Sequence, residues 1–596
     1  MADLWSYESI IALIVIALCL TAAVYLLWEP VKMRLLCRIL HLPPPESGIR
    51  LLKNVTVAMS DGVMLVCDIY RPTDSGPFPV ILMRTPYEKG NDDYSFPLIA
   101  KIFCSQGYVF ISQDVRGKYG SEGEFSPFVN ETKDGTDTIA WIMKQDWCDG
   151  NVGMWGFSYL GTCCWVVAPE SPPGLKALVT IFCSQNAYTT WIDKGVPYLK
   201  DILFWLSKHH GRRGREVTHE EIDKIILQLP VLEFDKRLKD GIDTFKTWMA
   251  HLHTDDYWGS FSVSGRRSEI SVPALFIGGW YDRFLRDTIR DYNKTIRANP
   301  RSLTTKSRLI IGWWSHDPTI EPPDVHFSKE GRFYHQFEPM VKWFNCWLKG
   351  EEFAFDPDNP VAYYMMGKNE WRNAASWPPP GVSNVKFYLD SKGHANSGEG
   401  DGTLSTSISV KEVTDSYVYD PLDPVPSIGN NMLYPNDTEG PRDQKLILER
   451  HDVLVYTTKP MEGDYEIAGP VSAVIYVQSS AVDTDFCARL CDLHPNGKSY
   501  FLINGFQRMR FLDSVKITHG VEKDKIYRVE LDMGHIAHCF LRGHRIQLQI
   551  TSSDFPNHER NLNTGGSNEG DAEETTAVQT IHHGRTYDSH LLLPHL

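Results

Sequence analysis

The chain has 596 residues, of which 42% are hydrophobic, 12% aromatic and 23% charged, a composition that supplies large apolar cores and excludes general disorder. Its length exceeds what one core organises, so two to four domains are expected. A formal charge of −15 argues against a nucleic-acid partner, because phosphate binding needs a basic face. The twelve cysteines make neither a disulfide scaffold nor a zinc pattern, and Cys163-Cys164, inside an apolar run, reads as core.

Residues Ile10 to Trp28 carry no charge over 19 positions, which at ~1.5 Å per residue is enough for one membrane-spanning helix. The acidic start (MADLWSYES) and the lack of a small-residue cleavage site identify an uncleaved anchor rather than a signal peptide. Asp3 and Glu8 precede the run while Lys32, Arg34 and Arg38 follow it. The positive-inside rule then gives a single-pass membrane protein whose bulk is cytoplasmic. Sequons at Asn54, Asn130, Asn293 and Asn436 would be used only in the opposite topology. Pro43-Pro44-Pro45 makes a stiff spacer, so residues 1–48 are expected to be anchor and linker.

From Ile49 short β-rich runs alternate with helical patterns: Val80 to Met83, Val109 to Gln113, Val152 to Phe157, Leu175 to Ile181, Pro273 to Ile277 and Arg308 to Ile311. Runs apolar on both faces predict a parallel sheet covered by helices, assigned to residues 49–182 and 270–376. Between them, residues 183–269 turn helical. Thr218 and Glu221 have capping-box spacing ahead of Ile222, Ile225, Ile226 and Leu229, and an insertion here predicts a helical cap over the strand ends. After Trp377-Pro378-Pro379-Pro380-Gly381 the period falls to two, with Ile546, Leu548 and Ile550 alternating with polar residues. Similar segments at Val385 to Leu389, Val471 to Val477 and Ile526 to Leu531 predict an all-β sandwich or jelly roll over 382–596.

The segment Val152-Gly-Met-Trp-Gly-Phe-Ser158-Tyr-Leu-Gly161 is a strand running through a glycine-flanked serine into an apolar helix. Small neighbours permit the strained turn that lifts a nucleophilic hydroxyl above a sheet, and the helix N-terminus favours developing negative charge. Leu160 stands where the general G-x-S-x-G form has its second glycine. A serine needs a histidine to take its proton and a carboxylate to orient that histidine. Asp282 and His316 each follow a β-run, in the Ser, Asp, His order of α/β-hydrolases. They are the candidate orienting acid and general base.

These segments, with Arg84-Thr-Pro-Tyr-Glu-Lys, Asp114-Val-Arg-Gly-Lys-Tyr-Gly-Ser-Glu-Gly-Glu-Phe, Asp146-Trp-Cys-Asp-Gly-Asn, Gly279-Trp-Tyr-Asp282 and Trp314-Ser-His316, resemble the cocaine esterase and X-prolyl dipeptidyl peptidase (CocE/NonD) family of serine hydrolases. That family's elbow is G-x-S-Y-x-G, which accommodates Leu160. The resemblance runs from about Ile49 to the C-terminus, where Asp483-Thr-Asp-Phe, Gly543-His-Arg, Phe555-Pro and Asn561-Leu-Asn-Thr-Gly look like the family's jelly-roll domain. The span before Ile49 has no counterpart in the soluble bacterial members. The resemblance implies that the Tyr87 hydroxyl and the Tyr159 backbone N–H form the oxyanion hole, that Asp114 and Arg116 are structural, and that no cofactor or metal is used. It implies a small-molecule ester, a small acyl amide or a short peptide as substrate. Ester or acyl-amide hydrolysis is the expected activity. X-prolyl dipeptidyl peptidase is the alternative, although the family's peptidases carry an additional N-terminal domain not seen here. The third class, a non-catalytic membrane-tethered binding protein, is opposed by the presence of Ser158, Asp282 and His316 together. Activity is expected to rise with pH as His316 becomes neutral.

Overall fold

A computed structural model describes residues 30–238, 242–298, 303–434, 438–513 and 520–596. The uncharged run 10–28 lies outside the described residues, and within them no helix is long and apolar enough to cross a membrane.

The first sheet contains β1 (Ile49–Ala58), β2 (Met64–Pro72), β3 (Phe78–Thr85), β4 (Val109–Asp114), β5 (Cys148–Phe157), β6 (Leu175–Ile181), β7 (Ala274–Tyr281), β8 (Arg308–Ser315), β9 (Val361–Met365) and β10 (Glu370–Ala374). Their order is β1-β2-β4-β3-β5-β6-β7-β8-β9-β10. From β4 to β9 neighbouring strands run parallel, while β1, β2 and β10 pair antiparallel at the margins. The six apolar runs of the sequence fall on β3 to β8. β4, β7 and β8 are buried along their whole length, which is why they read as continuous apolar runs. β1, β2, β9 and β10 were not anticipated. β1 and β10 are largely exposed strands at the sheet edges, and the polar side chains they show to solvent dilute the β signal.

The principal helices are α1 (Phe96–Ser105), α2 (Glu131–Ile142), α3 (Tyr159–Val167), α4 (Leu199–Lys208), α5 (His219–Ile226), α6 (Asp243–Ala250), α7 (Leu285–Ala298) and α8 (Phe337–Leu348). Every residue of α3 is buried, so Cys163 and Cys164 are core side chains. α4, α5 and α6 are the helical insertion between β6 and β7. At the start of α5 the Thr218 hydroxyl accepts the Glu221 N–H at 3.2 Å, as the capping spacing predicts.

The second sheet contains β11 (Ser383–Asp390), β12 (Thr403–Ser405), β13 (Val413–Tyr419), β14 (Leu454–Thr457), β15 (Tyr465–Ser479), β16 (Asp485–Leu493), β17 (Ser499–Arg508), β18 (Tyr527–Phe540), β19 (Arg545–Thr551), β20 (Ala577–His583) and β21 (His590–His595). It is all-β, in the order β13-β20-β15-β21-β11-β12-β14-β19-β16-β17, with β18 paired to β15. Alternation along β19 reads as a half-exposed strand, yet Gln547 and Gln549 are as buried as the isoleucines. Gln547 Oε1 accepts from Ser499 Oγ at 2.8 Å and from Gln549 Nε2 at 3.2 Å, which offsets part of the cost of burying these amides.

Motif residues of this part knit its interior. Arg508 is held by Asp485 at 3.0 and 3.1 Å and by Glu559 at 3.2 Å, and Asn561 Nδ2 donates to both Asp483 and Asp485 at 2.9 Å. Arg508 is fully buried, so its loss would leave two carboxylates uncompensated in an apolar interior. Arg508→Met is expected to cost about 3–5 kcal/mol in chemical denaturation. Arg508→Lys is expected to recover only part of that loss, because an ammonium cannot repeat the forked contact.

Candidate active site

Ser158, Asp282 and His316 are each the first residue beyond a strand of the parallel sheet, after β5, β7 and β8, and Tyr87 lies two residues beyond β3. Parallel strands leave their carboxyl ends on one edge, so four side chains distant in sequence meet there. Ser158 has φ 55° and ψ −126°, a backbone shape strained for any residue but glycine. A methyl group on Gly156 would lie 2.1 Å from the Leu160 carbonyl oxygen, and one on Gly161 would lie 2.5 Å from Cys183 Sγ. Gly161 therefore occupies the crowded position of this turn, and Leu160 turns into the core.

Ser158 Oγ lies 3.1 Å from His316 Nε2, and His316 Nδ1 lies 2.7 Å from Asp282 Oδ1. The second Asp282 oxygen accepts the Phe284 N–H at 3.0 Å, which fixes the carboxylate plane. The His316 ring is packed by Phe157 and Phe284, with centroids at 5.0 and 5.3 Å. Asp282 is fully buried and His316 is partly accessible, the arrangement that keeps the acid from water while the base faces the cavity.

The Tyr87 hydroxyl oxygen accepts the Trp205 indole N–H at 3.0 Å, so its own proton is left to point elsewhere. Burial, reinforced by Tyr94, pushes the phenol far above its usual range, against a smaller opposing pull from hydrogen bonding with Trp205 and Ser158. It stays a neutral donor at any physiological pH. Tyr159 opens α3, and its N–H belongs to the first helical turn, which has no intrahelical acceptor. Its side chain is committed elsewhere: the hydroxyl donates to Glu131 Oε1 and accepts the Phe128 N–H, both at 2.9 Å. Glu131 in turn pairs with buried Arg84 at 2.7 Å. The Arg84-Thr-Pro-Tyr87 motif thus supports the turn from behind while presenting Tyr87 in front.

Asp114 and Arg116 are both ion-paired, but not with each other. The Asp114 carboxylate accepts the Lys89 N–H at 2.7 Å and lies 3.5 Å from Lys89 Nζ, while Arg116 binds Asp134 and Asp61. Burial pushes Asp114 up to about 6. Asp255, an acidic residue of the insertion, caps a short helical turn through the Tyr257 N–H at 3.1 Å, and neither it nor Asp256 lines the cavity.

Residues that carried no sequence signal complete the site. Trp205 reaches Tyr87 from α4, and Arg283 binds Asp201 of the same helix at 2.8 Å and Asn557 of the all-β part at 2.6 Å. Nothing in an apolar helix or in a lone arginine after Asp282 announces these contacts. Ser158 and His316 open on a cavity of about 990 Å³ whose lining includes Tyr94, Phe128, Trp191, Trp205 and Phe284. Among the described residues one group, Asp492, His494 and His544, brings metal-type ligand atoms within 4.8 Å of one another; none of the three lines this cavity.

Sheet, insertion and site define an α/β-hydrolase with a serine, histidine and aspartate aligned at the strand ends. The family model for X-Pro dipeptidyl-peptidase (S15 family) matches residues 61–318, and that for the X-Pro dipeptidyl-peptidase C-terminal non-catalytic domain matches 354–592. Cocaine esterase of Rhodococcus sp. (strain MB1 Bresler) is 38% identical over 575 residues, covering 92% of this chain and 99% of that one. The chain belongs to this cocaine esterase and X-Pro dipeptidyl-peptidase family, and it is a serine hydrolase. In fold it is similar to an aminopeptidase from a marine sediment archaeon, Thaumarchaeota archaeon (TM-score 0.81, 22% identity, 93% of this chain and 97% of that one). It is also similar to an α-amino acid ester hydrolase (TM-score 0.78, 22% identity, 92% and 97%).

Tyr87→Phe keeps the packing and removes only the hydroxyl. It is expected to lower kcat roughly 100-fold with little change in KM, read by steady-state hydrolysis of an activated ester.

Proposed function

We propose that this protein hydrolyses carboxylic esters or small acyl amides through an acyl-enzyme on Ser158. His316 Nε2 takes the Ser158 proton as Oγ bonds to the substrate carbonyl carbon, and Asp282 holds the resulting imidazolium. The Tyr87 hydroxyl and the Tyr159 N–H donate to the oxyanion. His316 returns the proton to the leaving alcohol or amine, then takes one from the water that releases the acid. The observation that carries the reading is the continuous contact from Ser158 Oγ to His316 at 3.1 Å and on to Asp282 at 2.7 Å.

The apolar aromatic lining of the cavity and the 38% identity to a protein named for esterase activity favour esters. A second reading, removal of X-prolyl dipeptides, draws support from Asp93, a cavity carboxylate that would meet a substrate ammonium; Glu321 also lines the cavity but pairs with Arg332 at 2.6 Å. The all-β part is read as a jelly roll that closes the site from one side, because Asn557 reaches Arg283 beside Asp282. Residues 10–28 are read as a single membrane anchor, on the strength of their uncharged length, with the catalytic part cytoplasmic.

A fluorophosphonate probe is expected to label the wild type and not Ser158→Ala. In the same preparation kcat/KM for simple esters is expected to exceed that for Gly-Pro anilides by roughly tenfold or more; the reverse order would establish the peptidase. Alkaline carbonate washing is expected to leave the full chain in the membrane pellet, with the catalytic part digested by protease added to the cytoplasmic side only. Release into the wash would remove the anchor from this account.

A further inference from the structure

The cavity has a second end. From Ser158 it extends to Leu98, Ile99 and Ile102 of α1 and to Leu36 and Leu40 of the helix at residues 30–39. That limb carries these five aliphatic side chains, in a cavity that Phe96, Tyr334 and Phe337 also line, and its total of about 990 Å³ lies at the upper end of the roughly 300–1,000 Å³ usual for small-ligand pockets. Leu98 and Ile320 line the cavity and are also exposed, at 43% and 38%, so the mouth itself is apolar at those points.

The helix beside this mouth has two apolar sides. Leu36 and Leu40 face the cavity and Cys37 is buried, whereas Val31, Leu35 and Ile39, at four-residue spacing, are 52%, 59% and 50% exposed. Lys32, Arg34 and Arg38 are exposed around that outer stripe, in a chain whose formal charge is −15. An apolar stripe flanked by cations is the pattern of a helix lying at the surface of an anionic bilayer. The uncharged run read above as an anchor ends at Trp28, three residues before Val31, so in that reading the stripe lies beside the lipid. The helix is also fixed to the catalytic part: Cys37 Sγ lies 3.7 Å from both Ser105 Oγ and Gln106 Nε2, and just beyond the helix the Pro43 carbonyl accepts from Gln106 Nε2 at 3.1 Å.

We propose that the outer face of helix 30–39 rests on the bilayer and that the cavity takes its substrate from it, the acyl chain of a long-chain carboxylic ester entering past Leu98 and lying along Leu36 and Leu40. The inference rests on the hydrolase reading of Ser158 and narrows its substrate class. A chain that leaves lipid directly for an aliphatic limb never exposes its methylenes to water, which is the physical reason to join the mouth to the membrane face.

The test uses the full chain reconstituted in phosphatidylcholine and phosphatidylserine vesicles. Hydrolysis of p-nitrophenyl palmitate carried in the vesicles is compared with that of p-nitrophenyl acetate in water. The wild-type kcat/KM ratio, palmitate over acetate, is expected to exceed unity and to fall roughly tenfold in Leu36→Trp, which blocks the limb, and in Leu98→Glu, which makes the mouth polar. Leu98 is exposed, so its variant tests the route even where Leu36→Trp folds poorly. A wild-type ratio below unity overturns the substrate class, and a ratio unmoved by both variants overturns the route. Failure of the wild type to cleave acetate or to label with fluorophosphonate overturns the hydrolase reading instead, and the inference with it.

Discussion

The geometry of the site depends on one strained turn. Ser158 stands between β5 and α3 at φ 55°, and the chain can make that turn only because Gly156 and Gly161 leave room for the Leu160 carbonyl and for Cys183. The strain is held by what surrounds it. The Ser158 N–H donates to the Ile181 carbonyl of β6 at 2.9 Å, the whole of α3 is buried, and the Tyr159 ring is locked through Glu131 to Arg84. Turn and helix start are consequently one rigid unit, so the Ser158 hydroxyl and the Tyr159 N–H keep a fixed mutual position.

Around that unit the three other contributions come from separate parts of the chain and are tied by polar contacts. Asp282 and Arg283 sit on one loop. Arg283 stacks on Tyr198 with its guanidinium carbon 3.5 Å from the ring centroid, binds Asp201 in α4 and reaches Asn557 in the all-β part. Asp201 also accepts the backbone N–H groups of Leu433 and Tyr434, at 3.1 and 3.0 Å. The acid loop, the insertion and the all-β part therefore share a single buried cluster. On the opposite side Trp205, one helical turn beyond Asp201, fixes the Tyr87 oxygen. α4 thus touches both sides of the site, Tyr87 through Trp205 and the Asp282 loop through Asp201 and Arg283.

Much of this was legible from residue order. The six buried strands announced themselves as unbroken apolar runs, and Ser158, Asp282 and His316 were recognisable because each follows such a run in the order that α/β-hydrolases use. Leu160 looked anomalous against the general elbow pattern, and the structure gives the reason it is tolerated: the position that needs a small residue is Gly161, where a methyl group would strike Cys183. The edge strands β1 and β10 were invisible because they mix polar and apolar side chains, and β9 because a five-residue apolar run has no period to mark it as a strand. β19 differs in the other direction, since its alternating glutamines are buried like its isoleucines, with Gln547 Oε1 accepting from Ser499 and Gln549.

Local pattern alone determined the buried strands of the parallel sheet, the elbow, the identity of the three aligned residues and the β character of the last third, because each is written in side-chain period and in short glycine spacing. Family resemblance was needed to single out Tyr87, because no local pattern sets it apart from the other tyrosines among the chain's 26. Only the tertiary structure decided what holds these groups in place: Trp205 on Tyr87, Glu131 and Arg84 behind Tyr159, and Arg283 between Asp201 and Asn557. Such contacts join positions tens to hundreds of residues apart, and no one of those residues differs in type from many others in the chain. The aliphatic limb from Ser158 to Leu36 is of the same kind. It is lined by residues of both α1 and helix 30–39, and a cavity shared by two elements has no sequence of its own.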